Sequence, residues 1–144
     1  MPNYPHGTPT WHHIPATSVS RAKEFYTKLL NLQYREPKSP EEAECIAHFM
    51  FPNPTLTEAE IGGGIMKVRE NEKIADLYTK EGGLVAPTLY YSVDDLDMVM
   101  EKVEDWGGKV LAGKQGTGGE GEHAVIRDTE GNPVGIYWEG KKKA

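Results

Sequence analysis

Apolar and polar positions along this chain follow two rhythms, and the rhythms recur in the same order in its second half. Residues 10–17, TWHHIPAT, read as a short strand whose alternate side chains face opposite ways. Ser18 suits a helix N-cap, and Ala22, Phe25, Tyr26, Leu29 and Leu30 then fall at helical spacing on one face. Asn31 stands where that helix should stop. A short strand is predicted over 32–36, then a proline-broken acidic loop, PKSPEEAE. A third strand is predicted over 45–51, a turn at PNPT and a fourth strand over 59–68 that contains Gly62, Gly63 and Gly64.

The second half repeats the order. A strand over 87–93 leads to Asp94, which reads as the cap of a helix striped by Leu96, Val99, Met100, Val103 and Trp106. Gly107 and Gly108 end it as a left-handed cap would. Short strands follow over 109–112 and 123–127, separated by the glycine-rich KQGTGGEGE, read as a flexible loop. DTEGN predicts a tight turn into a last strand over 133–138. The whole is strand–helix–strand–strand–strand, twice: an α+β class with helices on one side of mostly antiparallel sheets. The expected modules cover about 10–68 and 87–139. The charged stretch between them, with apolar Ile74, Leu77 and Tyr78, connects them, and a proline-rich arm precedes them.

At 144 residues the two modules are halves of one domain, and their seam is the natural place for a ligand. A net charge of −6 argues against nucleic acid as a partner, because phosphate binding needs a basic face. The basic run Lys141 to Lys143 reads as a solvated terminus. No stretch approaches the ~18 apolar residues of a membrane helix, and the first residues lack a signal peptide's hydrophobic segment. A cytoplasmic location is the expectation. The single cysteine, Cys45, sits beside Ile46 and Ala47 and reads as a buried structural thiol.

The segments SRAKEFYTKLLNL, YYSVDDLD, GGKVL and above all RDTEGNPVGIYW resemble the vicinal oxygen chelate superfamily of glyoxalases, bleomycin-resistance proteins and extradiol dioxygenases. The resemblance runs from about residue 10 to 138. It implies paired βαβββ modules whose mixed sheets curl around a shared cleft, often in a homodimer. Metal-using members hold a divalent ion with one side chain from the first and last strand of each module. Those positions fall here on Trp11, on Gly62 or a glycine beside it, on Thr88 and on Gly135. Indole and hydrogen cannot ligate, and a threonine hydroxyl is a poor ligand beside imidazole or carboxylate. The resemblance therefore implies the scaffold without a metal or other cofactor, as in the metal-free branch.

Alternation selects the cleft wall. Trp11 and His13 share one face and His12 and Ile14 the other; Thr88 goes with Tyr90, and Gly135 with Tyr137. With His48 and His123, the expected ligand-binding set is Trp11, His13, His48, Gly62, Thr88, Tyr90, His123, Gly135 and Tyr137. Such a wall suits a small aromatic or amphipathic organic molecule. His13 and Tyr90 are the candidate catalytic pair for a metal-independent isomerase or lyase step, since imidazole titrates near neutrality. Against this stands a wall histidine satisfied by its neighbours. The alternative function is a metal-dependent glyoxalase- or dioxygenase-type enzyme using His13, His48 and His123. Adjacent His12 and His13 point to opposite faces and cannot share an ion. The triple glycine lacks the following lysine of a phosphate loop, and no nucleophile elbow is present.

Overall fold

In the computed structural model of the protein, which describes His6 and residues 11–50, 62–74 and 88–140, Ser18 opens the first helix as its spacing predicts. Its Oγ accepts the Arg21 amide at 3.3 Å. Helix α1 (Val19–Leu30) buries Val19, Ala22, Phe25, Tyr26 and Leu29. It ends on Asn31, whose left-handed backbone (φ 54°) sends its amide to the Thr27 carbonyl at 2.9 Å. Asparagine tolerates that conformation better than most residues, and the helix stops there.

The chain divides into two compact units, Met1–Lys73 and Ile74–Ala144. In the first, β1 (Trp11–Ala16), β2 (Gln33–Tyr34), β3 (Ile46–Met50) and β4 (Gly62–Lys67) form one sheet in the order β1-β4-β3-β2. Strands β1 and β4 run parallel, and the other pairs are antiparallel. Ile14, Ala16, Phe49 and Ile65 turn to the face on which α1 packs, where Phe25 and Tyr26 meet edge to face. Burying each large apolar side chain of this kind contributes about 1.5–3 kcal/mol.

The second unit repeats the plan. Strands β5 (Tyr90–Ser92), β6 (Lys109–Gly116), β7 (Glu122–Arg127) and β8 (Pro133–Trp138) lie in the order β5-β8-β7-β6, again with the first and last strands parallel. Helix α3 (Leu96–Lys102) packs against β8, and Leu96, Val99, Val103, Ala124, Ile126, Val134 and Ile136 are buried. The doubled βαβββ order is the α+β architecture expected from the pattern.

Several local expectations need correction. The acidic segment before β3 is not a loop: Ser39 caps a short helix, α2 (Pro40–Cys45), with Pro40 in its first turn. Proline breaks helix interiors but suits a first turn, where its missing N–H costs nothing. Cys45 thereby becomes the last residue of a helix that buries none of its side chains, and it is exposed. Asp95, not Asp94, caps α3, accepting the Met98 amide at 3.0 Å. That helix stops before Trp106, which lies in the turns leading to Gly107 (φ +93°). Strand β6 runs on to Gly116 through two register shifts, so the glycine-rich loop shrinks to a turn closed by Thr117 and Gly121. The predicted strand ends at 51, 59–61 and 87, and positions 77 and 78, lie outside the described residues.

Candidate functional site

Each sheet has one face under its own helix and one that the described residues of its own unit leave uncovered, the open face, and strand alternation decides which side chains reach the latter. In the first unit these are Trp11 and His13 from β1, His48 and Met50 from β3, and Gly62 and Gly64 from β4. Register aligns His13, Gly64 and His48 in one row across the sheet. With adjacent strands about 4.8 Å apart, the two histidine backbones flank the glycine at roughly 10 Å from one another. The Trp11 indole, 51 % exposed, lies over that glycine. A Cβ built on Gly64 would stand 2.9 Å from Trp11 Cζ2. The indole also meets the His48 imidazole edge-on, with centroids 6.0 Å apart and planes at 73°.

The second unit builds a counterpart from different residues. His13 and Tyr90 each stand five positions before the N-cap of the next helix, and they pair with Gly64 and Gly135 respectively. Gly64, two residues beyond Gly62, is thus the structural equivalent of Gly135. Tyr90 lies on Gly135 so closely that a Cβ there would be 2.5 Å from the ring. His123 stands edge-on to Tyr90 at 5.9 Å and 84°, and it pairs across the sheet with Tyr137. Thr88, partly exposed, precedes β5 by two residues. The open faces thus bring together Trp11, His13, His48, Gly62 and Gly64 in one unit, and Tyr90, His123, Gly135 and Tyr137 in the other.

His12 does the opposite of its neighbour. It turns to the helix side, its ring edge-on to Phe49 at 5.6 Å. Burial, with help from the adjacent charge of His13, lowers its pKa to about 4. The imidazole is therefore neutral at pH 7 and lies partly buried on the helix side of the sheet.

Two arrangements were missed from sequence. Beside His48, Glu42 Oε1 stands 4.0 Å from Nε2 and accepts Arg35 Nη2 at 3.1 Å. Its Oε2 accepts the Lys38 amide at 2.8 Å. That backbone hydrogen bond, followed by the Arg35 guanidinium, holds the Glu42 carboxyl below its ordinary range. The signal for the helix was present in the order Ser39-Pro40-Glu41-Glu42, a capped helix start, but nothing in it sets Glu42 beside His48. In the second unit, a hollow of about 190 Å³ is lined by Asp94, Asp95, Leu96, Asp97, Glu122 and Trp138. Lys114 bonds Asp97 and lies 3.8 Å from Glu122, and the Asp97 hydrogen bond raises its pKa. Nothing in the spacing of these residues announces their meeting.

The profile of the Glyoxalase/Bleomycin resistance protein/Dioxygenase superfamily matches residues 9–136. The chain belongs to this superfamily. Among curated proteins it is 29 % identical over 143 residues to the "Putative glyoxylase CFP32" of Mycobacterium bovis, covering 93 % of this chain and 46 % of that protein. It thus spans about half the length of the curated relatives it matches. Among solved structures, a glyoxalase family protein of Bacillus cereus superposes with a TM-score of 0.68 at 16 % identity, covering 98 % of this chain and 99 % of that one. A glyoxalase/bleomycin resistance protein/dioxygenase family enzyme of Burkholderia phytofirmans gives 0.64 at 14 %, covering 92 % and 98 %. At such identities these superpositions speak for the fold.

At the four positions where the resemblance would place metal ligands, the residues present are poor partners for an ion. Two are glycines, and the space a ligating side chain would take there is filled by the Trp11 and Tyr90 rings. The other two are the Trp11 indole itself and the Thr88 hydroxyl. Among the described residues no three His, Cys, Asp or Glu side chains gather closely enough to hold a metal. Nor is any helix among them long and apolar enough to cross a membrane.

Proposed function

We propose that this superfamily member binds a small planar or amphipathic organic molecule on its open sheet faces, without a metal ion. One observation carries the reading: on each face a half-exposed aromatic ring lies on a backbone glycine beside an imidazole. A ring backed by bare peptide offers its outer face for stacking, and the adjacent imidazole supplies a directional polar contact. The same rings fill the places where the superfamily carries metal-ligating side chains. This supports a binding site for organic ligands in which His13, His48, Tyr90 and His123 act through hydrogen bonds. A proton-transfer step of the isomerase or lyase kind is within the chemistry of these groups.

The test uses anilinonaphthalene sulfonate, an amphipathic aromatic probe, with elemental analysis of the same preparation. The expected result is saturable binding in protein free of stoichiometric zinc, nickel, manganese or iron. Trp11→Ala and Tyr90→Ala each weaken it by up to about tenfold, the worth of one aromatic contact. A tightly held transition metal at one per chain, or binding indifferent to both substitutions, overturns the proposal.

A further inference from the structure

We propose that the open face of the first unit is a proton-accepting site for a planar ring bearing an ionisable hydroxyl, with His48 taking the proton and Glu42 acting as its positioning residue. The ligand class is a phenol or ring enol. The inference rests on the reading above, that an aromatic molecule stacks on this face, and adds what the face does to it.

Three features place the chemistry. First, the Glu42 carboxylate is anchored from two directions, by Arg35 Nη2 on one oxygen and the Lys38 amide on the other. It has little freedom to turn away from His48, whose Nε2 it approaches to 4.0 Å. A neutral imidazole carries hydrogen on one nitrogen and accepts on the other. A fixed carboxylate beside Nε2 favours the hydrogen there, which leaves Nδ1 as acceptor. Second, the same carboxylate supports the positive charge that the ring acquires on taking a proton, while Arg35 balances its own. Third, the residue paired with His48 across the sheet is Gly64, so no side chain from that position screens the imidazole. The indole of Trp11 stands over that glycine, edge-on to the imidazole. A planar ligand laid on the outer indole face brings a substituent on its own rim toward the imidazole, and a rim hydroxyl is the group that has a proton to give. His13, across Gly64 on β1, is the other titratable side chain of the row.

The step is balanced without a co-reactant. The ligand O–H bond breaks, its electron pair stays on oxygen, and a new N–H bond forms at His48 Nδ1. The product is a phenolate or enolate beside an imidazolium, itself beside Glu42.

The probe is para-nitrophenol, held at its own pKa, where about half is protonated in water and an ordinary imidazole is mostly neutral and free to accept a proton. Equilibrium dialysis measures how much binds, and the absorption band of the phenolate measures the state in which it binds. The phenolate-to-phenol ratio of the bound probe is expected to exceed that of the bulk solution several-fold. His48→Gln returns the phenolate share of the probe that remains bound to the bulk value, however much its affinity falls. Glu42→Gln lowers the bound phenolate-to-phenol ratio about fivefold, the Coulomb effect of one charge at this separation in water. Glu42→Asp, which keeps the charge, recovers part of it. Probe bound in the bulk proportion, or a phenolate share that survives His48→Gln, overturns the proposal while leaving aromatic binding intact. Failure of the probe to bind at all overturns the stacking reading and this one with it. Should His48→Gln not fold, the Glu42 pair decides alone.

Discussion

Lowering the pH from 7 toward 4 should cost the first unit stability through His12, over and above the response of its carboxylates. The imidazole lies on the helix side of β1 against Phe49, and its pKa is lowered from 6.5 to about 4, chiefly by burial and secondarily by the charge of His13. A histidine that protonates less readily when folded leaves the unfolded chain holding more protons between those two values. Its contribution is therefore fully present above pH 6.5, falls as the pH drops toward 4, and changes no further below that. The full shift corresponds to at most about 3.4 kcal/mol at 1.36 kcal/mol per unit. The ring is only partly buried, and solvent screening reduces the expectation to about 1.5–2 kcal/mol. Urea unfolding at a series of pH values between 7 and 4 measures it in wild type and in His12→Gln, which cannot titrate. Subtracting the two curves removes the common acid response of the carboxylates, Glu42 among them. The wild type should lose about 1.5–2 kcal/mol more than the variant over the window. Parallel curves would refute the reasoning, as would a histidine NMR titration placing His12 near its ordinary value.

Asp128 is 3 % exposed and organises the last turn: Oδ1 accepts the amides of Glu130 and Asn132, and Oδ2 accepts Asn132 Nδ2, each at 2.8 Å. Asp128→Ala strands buried donors and should cost about 2–4 kcal/mol by chemical denaturation, with Asp128→Asn in between; a loss under about 1 kcal/mol contradicts this. Gly135→Ala drives a methyl into the Tyr90 ring and should cost about 1–2 kcal/mol, most of it relieved in a Tyr90→Ala background. Additive effects in that cycle would show that the ring does not rest on the glycine.

How much of this was legible without coordinates follows from the range of each interaction. The caps at Ser18 and Asn31, the DTEGN turn and the facing of Trp11, His13, Gly135 and Tyr137 are set within a few residues by backbone chemistry and strand alternation. They could be read directly from the order of residues. Local rules also erred where two of them competed. Prolines in PKSPEEAE argue for a loop, yet Ser39 before Pro40 makes a capped helix, and that choice exposes Cys45. Two neighbouring aspartates can each cap a helix, and the structure places the cap at Asp95, with Leu96 and Val99 buried behind it.

Contacts between strands are another matter, because alternation says which way a side chain points and nothing of what stands beside it. That Trp11 lies over Gly64, that Tyr90 lies over Gly135, and that Glu42 leans on His48 depend on strand register and on where α2 settles. The amino-acid order determined a doubled βαβββ chain with glycines, Gly64 and Gly135, in the last strand of each unit. Tertiary structure alone decided what fills those gaps, since a glycine specifies only an empty volume and packing chooses its occupant.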